Sequence, residues 1–273
     1  MTVAPRVSVV IPAYEEGEHI LPVLARIRES VTMPCEVLVV VDSPADSTVQ
    51  VLRDLEAGDT GTGMPSDDGP AQVRLLVNDY GRGPANAIRY GIDHVRAPVT
   101  VVTMADGCDD ARQIDDLTRL VERGVVVAAA SRYMSGGQQV GGPLVKGLLS
   151  RGAGMSLHLL ARVGTRDPTN SYKAYSTAFL RQVGIDSRDG FEIGLELTAK
   201  ARRLRLPVAE LPTIWLDRQA GDSHFKVVQW IPHYLRWYRF AFGARLAPEQ
   251  LAEAAARAVA TRPAADPRAP EPQ

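Results

Sequence analysis

Apolar residues come in short, almost uninterrupted runs near the start of the chain. They are VSVVIPA (7–13), EVLVVVD (36–42), VRLLVND (73–79), VTVVTMAD (99–106) and VVVAAASR (125–132). Continuous β-branched runs of this length suit strands covered on both faces, not the in/out alternation of a half-exposed sheet. Between them the pattern changes to a helical period, predicting helices over His19–Ser30, Thr48–Leu55, Pro84–Val95 and Ala111–Arg123. Strand alternating with helix implies right-handed crossovers and a mainly parallel α/β sheet with helices on both faces.

The Gly-, Asp- and Pro-rich stretch 56–71 reads as an exposed loop. Beyond Arg132 the rhythm changes. A glycine-rich, mobile segment is expected at 133–143, a helix at 144–163 and another at 192–205. A strand is expected at 208–218 and an aromatic- and arginine-rich helix at 227–246. The expected organisation is one domain over residues 1–246, then a short helix and a tail of disorder-like composition over 247–273.

Composition narrows the function classes. The 273 residues carry a formal net charge of −1, which gives nucleic-acid binding no support. Two cysteines make no disulfide framework and have no zinc spacing, so a reducing, cytoplasmic setting is expected. No apolar run is long enough to span a bilayer, leaving at most a peripheral membrane surface.

In open α/β sheets ligands bind at the carboxyl ends of the strands. This chain places its unusual residues there: PAYEE, DSPADST, NDYGRGPAN and ADGCDD. GRGPAN lacks the third glycine of a dinucleotide loop and follows the third strand, not the first. ADGCDD crowds Asp106, Asp109 and Asp110 at a strand end without the spacing of a calcium loop. Such carboxylates call for a positive partner. Asp109 and Asp110 also fit the N-cap of the helix that follows.

In that order and spacing, VSVVIPAYEEGEHI, VVVDSPADST, NDYGRGPANAIRYGID and VVTMADGCDD resemble family 2 glycosyltransferases of the GT-A fold. SRY, DPTNSYKAY, GFEIGLEL, LPTIWLDRQAGDSHFK and WIPHYLRWY are similar to the dolichol- or polyprenyl-phosphate mannosyltransferase branch. The resemblance covers roughly residues 6–240. It implies an inverting transfer of a hexose, mannose from GDP-mannose, to a polyprenyl phosphate. It leaves open UDP-glucose or another donor, and a soluble acceptor. A non-catalytic nucleotide-sugar-binding protein is the alternative of another class.

By position in the motifs, Pro12, Tyr14, Glu16 and Asp42 would hold the nucleoside. Asp106, with Asp109, would hold Mg²⁺ or Mn²⁺ against the donor diphosphate. The sequence departs from the family pattern at Met104, where a first acid is usual, and at Cys108. Arg132, Lys146 and Arg218 would face the acceptor phosphate, with His224 and Lys226 nearby. A phosphate acceptor needs no strong base; for a hydroxyl acceptor, Glu192 is the candidate, although it also fits a helix N-terminus. Trp230, Tyr234 and Trp237 share one helical face, which suits either a lipid headgroup layer or a core.

Overall fold

A computed structural model describes residues 3–57, 71–142, 144–217 and 227–260. The first half alternates as its pattern predicts. β1 (Val7–Ala13), β2 (Cys35–Val41), β3 (Ala71–Val77), β4 (Val99–Val102) and β5 (Val127–Ser131) are separated by four helices. These are α1 (Ile20–Ser30), α2 (Ser47–Glu56), α3 (Pro84–Asp93) and α4 (Ile114–Glu122). A 3₁₀ turn precedes α1 at Gly17–His19 and α4 at Ala111–Gln113. β4 stops at Val102, so Met104 and the acids after it lie on a loop, not on the strand expected through 106.

The second half contains more elements than its pattern shows. In order they are β6 (Gln138–Val140), α5 (Leu144–Ser156), β7 (Lys173–Ser176), α6 (Thr177–Val183), α7 (Ile193–Leu204) and β8 (Val208–Pro212). β9 (Ile214–Leu216), α8 (Val227–Ala241) and α9 (Pro248–Ala260) complete the described chain. The helix expected over 144–163 is α5 followed by a π turn at Leu157–Ala161. The strand expected over 208–218 is two strands in two sheets. The glycine-rich segment holds β6, which pairs in parallel with β9. Thr213, between β8 and β9, donates its N–H to Ser131 O at 3.0 Å and accepts from Gln138 N–H at 2.9 Å.

The main sheet runs β3-β2-β1-β4-β7-β5-β8. All its pairings are parallel except those of β7, which is antiparallel to both β4 and β5. β1 and β2 are buried along their whole length because the sheet is covered twice. Val9, Ile11, Val37 and Val39 face α1, α2 and α4, whereas Val10, Leu38 and Val40 face α3 and the C-terminal helices. A Cβ on Gly91 of α3 would lie 2.5 Å from Val10 Cγ1 and 3.0 Å from Val40 Cγ2, so this glycine lets the helix lie close on the sheet.

Leu251 and Ala255 of α9 are buried in the same core as α7 and α8, so the domain's packing continues past Leu246. Residues 261–273 lie outside the described residues. Among the described residues no helix is long and apolar enough to cross a membrane.

Candidate active site

Because β1 to β4 run in one direction, the loops after them meet at a single edge of the sheet. The first loop begins beyond Pro12, which is buried on β1, and carries Tyr14, which is 57% exposed at the rim. Glu15 adopts a left-handed backbone, φ +52°. That conformation is uncommon outside glycine and is held here by partners. Glu15 N–H donates to Asp46 Oδ2 at 2.9 Å, and Glu16 N–H donates to Thr48 Oγ1 at 3.1 Å. Asp46 also caps α2 by accepting Thr48 N–H at 2.8 Å. One buried carboxylate thus ties the first loop to the start of α2. The DSPADST motif contains it, but its alternation does not distinguish Asp46 from an ordinary cap.

Asp42 closes the second loop onto the third. Its carboxylate accepts Asn78 Nδ2–H at 2.9 Å and Gly83 N–H at 2.7 Å. Asn78 also donates to Gly81 O at 2.6 Å and accepts Tyr80 N–H at 2.8 Å. Gly83 has φ +111°, and a side chain there would meet Asp189 O at 3.3 Å. The GRG turn is therefore shaped by Asp42 and Asn78, and it abuts the segment before α7.

The fourth loop holds the acids. Asp106 Oδ1 accepts Cys108 N–H at 3.1 Å, rounding a turn through Gly107 at φ +69°. Asp109 Oδ2 accepts Thr103 Oγ1–H at 2.8 Å and Met104 N–H at 3.3 Å. Burial, reinforced by the Asp106 charge, pushes the Asp109 acid up to about 7. Asp110 turns away: it caps the next turn through Arg112 N–H at 3.1 Å, and its hydrogen bond to the Arg112 guanidinium holds its acid below the usual range. Asp106 and Asp109 are thus two mutually repelling oxygen donors, a set that suits a hard divalent cation such as Mg²⁺ or Mn²⁺. Met104 adds no carboxylate; its N–H helps to hold Asp109.

Basic groups lie behind the acids. Arg132 grips fully buried Asp167, with Nε to Oδ2 at 2.7 Å and Nη2 to Oδ1 at 2.9 Å. Its guanidinium also sits 5.0 Å from the centre of the Tyr133 ring. Burial brings the Lys173 ammonium down to about 7, and its Nζ donates to Pro168 O at 3.1 Å and to Asn170 O. Lys146 falls on the first turn of α5 and Trp230 on that of α8, where the side chains are outside the described residues. Arg218, His224 and Lys226 are outside them entirely.

α8 resolves the choice that its aromatic stripe left open between a lipid layer and a core. Trp237 is fully buried, donates Nε1–H to Ser187 Oγ at 2.9 Å and meets Phe240 edge-on. Ala241 is buried too, so at these positions the stripe faces the core and not a lipid layer. The neighbouring stripe forms an ionic cluster: His233 Nδ1 lies 3.0 Å from Asp189, and Arg236 Nη2 lies 3.0 Å from Glu192 and 4.0 Å from Asp189.

Asp189, Glu192 and His233 place ligand atoms within 4.8 Å of one another, yet Arg236 already supplies a cation to them. Glu192 is fully buried and also accepts Gly190 N–H at 3.0 Å. That arrangement does not present it to a substrate hydroxyl, as a general base would require. Tyr234, half-buried on α8, feels both Glu192 and Arg132, which puts α8 beside the basic side of the site. No periodicity marks this placement, because the buried and ionic stripes of α8 are adjacent.

A sheet of this order, with acids on the loop after β4 and a carboxylate-bound glycine turn after β3, defines a GT-A-type nucleotide-sugar transferase fold. A mannosyltransferase from Pyrobaculum calidifontis, solved with GDP-Man and Mn²⁺, superposes with a TM-score of 0.59 at 18% identity, covering 94% of this chain and 70% of its own. A polyprenol monophosphomannose synthase from Mycolicibacterium smegmatis is 27% identical over 246 residues, 84% of this chain and 89% of the relative. An undecaprenyl-phosphate mannosyltransferase from Micrococcus luteus is 28% identical over 224 residues, covering 80% and 86%. The family model for glycosyl transferase family 2 matches residues 8–184, and the chain belongs to that family.

Proposed function

We propose that the protein transfers mannose, with inversion, from GDP-mannose to a polyprenyl phosphate. The names of the two relatives support the sugar and the acceptor. The structural observation that carries the reading is the proximity of the acids to a permanent cation at one edge: Asp109 lies within electrostatic reach of Arg132. An anionic acceptor can approach an anionic donor only where cations offset the repulsion.

Asp42, through the turn it holds, shapes the nucleoside side, with Pro12, Tyr14 and Glu16 forming the adjoining wall. Asp106, backed by Asp109, would hold Mg²⁺ or Mn²⁺, which neutralises the diphosphate as it leaves. Arg132 orients the acceptor phosphate, whose oxygen forms the new bond to the anomeric carbon while the bond to the diphosphate breaks. Lys146 and Arg218 belong to the same acceptor side by motif position. The acceptor is already ionised, so Glu192 acts by holding Arg236 and not as a base.

The chain would work on the cytoplasmic face of a membrane. Leu148 and Leu149 of α5 and Leu159 and Leu160 of the π turn are exposed, 55–72% each, with Arg151 and Arg162 exposed beside them. Exposed leucines flanked by arginines suit an interfacial surface. The test is incubation with radiolabelled GDP-mannose or UDP-glucose and polyprenyl phosphate, with and without Mn²⁺. Label from GDP-mannose in the organic phase supports the reading. Label only in the aqueous phase indicates a soluble acceptor, and no turnover with either donor defeats it.

A further inference from the structure

We propose that Asp167 is a positioning residue for the acceptor: it fixes the orientation in which Arg132 offers its remaining N–H groups to the phosphate. The inference rests on the reading of Arg132 given above. Asp167 is fully buried and is spent almost wholly on one residue. Its Oδ2 accepts both the backbone N–H and the Nε–H of Arg132, at 3.0 and 2.7 Å, and its Oδ1 accepts Nη2–H at 2.9 Å. A guanidinium has five N–H donors in one rigid plane. With two of them on Asp167, three remain, and planarity places them on the edges turned away from the carboxylate.

The carboxylate is itself held: Thr169 Oγ1–H donates to its Oδ1 at 3.4 Å, and the Asp167 backbone N–H donates to Thr165 Oγ1 at 3.0 Å. Further along the same turn, Asn170 Nδ2–H donates to Ala130 O at 2.8 Å and Lys173 Nζ reaches Pro168 O. Asn170 therefore ties the turn to β5, the strand that leads into Arg132. The arrangement is costly if its purpose is stability, since a buried ion pair often contributes less than apolar side chains of the same volume. Its distinctive product is a pre-oriented donor edge, which spares the acceptor the cost of ordering a long side chain. The Asp167 charge also tempers the pull of Arg132 on phosphate. The product diester carries less charge than the acceptor, so a tempered cation releases it more readily.

The experiment is steady-state transfer to a short-chain polyprenyl phosphate at saturating GDP-mannose, with GDP affinity measured in parallel. Arg132→Ala, Arg132→Lys, Asp167→Asn and the double variant Arg132→Ala/Asp167→Asn are compared. Arg132→Lys keeps the charge but cannot form the fork, so it should raise the acceptor KM as much as Arg132→Ala does, at least tenfold, with GDP affinity within twofold of wild type. Asp167→Asn should raise the acceptor KM similarly, yet add nothing in the Arg132→Ala background; a purely structural role would add in both. Wild-type acceptor KM in Arg132→Lys overturns the inference even if Asp167→Asn fails to fold. Full additivity in the double variant also overturns it. An unchanged acceptor KM in Arg132→Ala defeats the underlying reading of Arg132, and the inference with it.

Discussion

Gly83 donates its backbone N–H to the Asp42 carboxylate at 2.7 Å, across 41 residues of chain. The bond ties the end of β2 to the turn that opens α3 and gives the third loop its shape, with Asn78, just beyond β3, as the second support. Asp42→Ala and Asn78→Ala should therefore both weaken GDP binding, each by about 1–3 kcal/mol, the usual cost of stranding a buried donor or acceptor. Calorimetric titration with GDP and UDP checks this and distinguishes the base. Unchanged affinity in both variants would detach the turn from the nucleotide.

Asp106 lies on a loop, and its carboxylate makes one hydrogen bond among the described residues, from Cys108 N–H. Asp106→Ala should abolish Mn²⁺-dependent transfer while shifting the melting temperature by no more than about 2–4 °C, the equivalent of a lost half-buried turn contact of about 1 kcal/mol. Transfer that persists in the variant, or in excess chelator, would remove the metal role.

Lys173 gives a pH signature in stability. Its buried ammonium titrates near 7, against 10.5 for an ordinary lysine. Between those values the unfolded chain binds a proton that the folded chain does not, so stability rises with pH across that window. The penalty is full below the lower value and gone above the upper. Urea unfolding of wild type and Lys173→Met from pH 7 to 9 should show a shallower rise in the variant. An identical slope would mean that Lys173 remains charged in the fold.

Gly91 tests the packing beneath the site. Gly91→Ala forces a methyl group to within 2.5 Å of Val10 Cγ1, so it should destabilise by about 1–3 kcal/mol in denaturant unfolding. A neutral effect would show that α3 can lift from the sheet without loss.

The exposed leucines make a separate claim. Leu159→Ser/Leu160→Ser should reduce co-flotation with anionic phosphatidylglycerol vesicles at least several-fold, since each buried apolar side chain contributes roughly 1.5–3 kcal/mol. Transfer to a detergent-solubilised acceptor should be unaffected. Flotation equal to wild type would place membrane contact elsewhere.

The parallel half of the sheet was legible because β1, β2, β4 and β5 are buried on both faces and read as unbroken apolar runs, whereas β3, at the edge, is only half-buried. The acids after β4 were legible because three carboxylates, Asp106, Asp109 and Asp110, crowd one strand end. β7 was not: Lys173-Ala-Tyr-Ser has neither a run nor an alternation, since a buried lysine sits where an apolar residue is expected. β6 was hidden, and β9 merged with β8 into one expected strand, for a different reason. β6 and β9 are each three residues long and pair only with each other, so neither sequence carries a period. Asp167 could have been suspected from DPTNSYKAY, but its partner Arg132 is 35 residues away and no local pattern links them. Trp237 shows the limit of an aromatic stripe, which looks alike whether it meets lipid or protein.

The reversed strand has a consequence for how the molecule is made. β1 to β4 can assemble as soon as the first hundred or so residues leave the ribosome, but the outer edge of β4 stays open until Lys173–Ser176 has been synthesised and slots in against it. For some seventy residues of synthesis the nascent chain therefore carries an apolar strand with a free row of N–H and C=O groups, a template for pairing with a neighbour. A fragment ending after α4 would keep that edge permanently open and should self-associate. The strand that follows the Asp167 turn is also the one that seals the sheet.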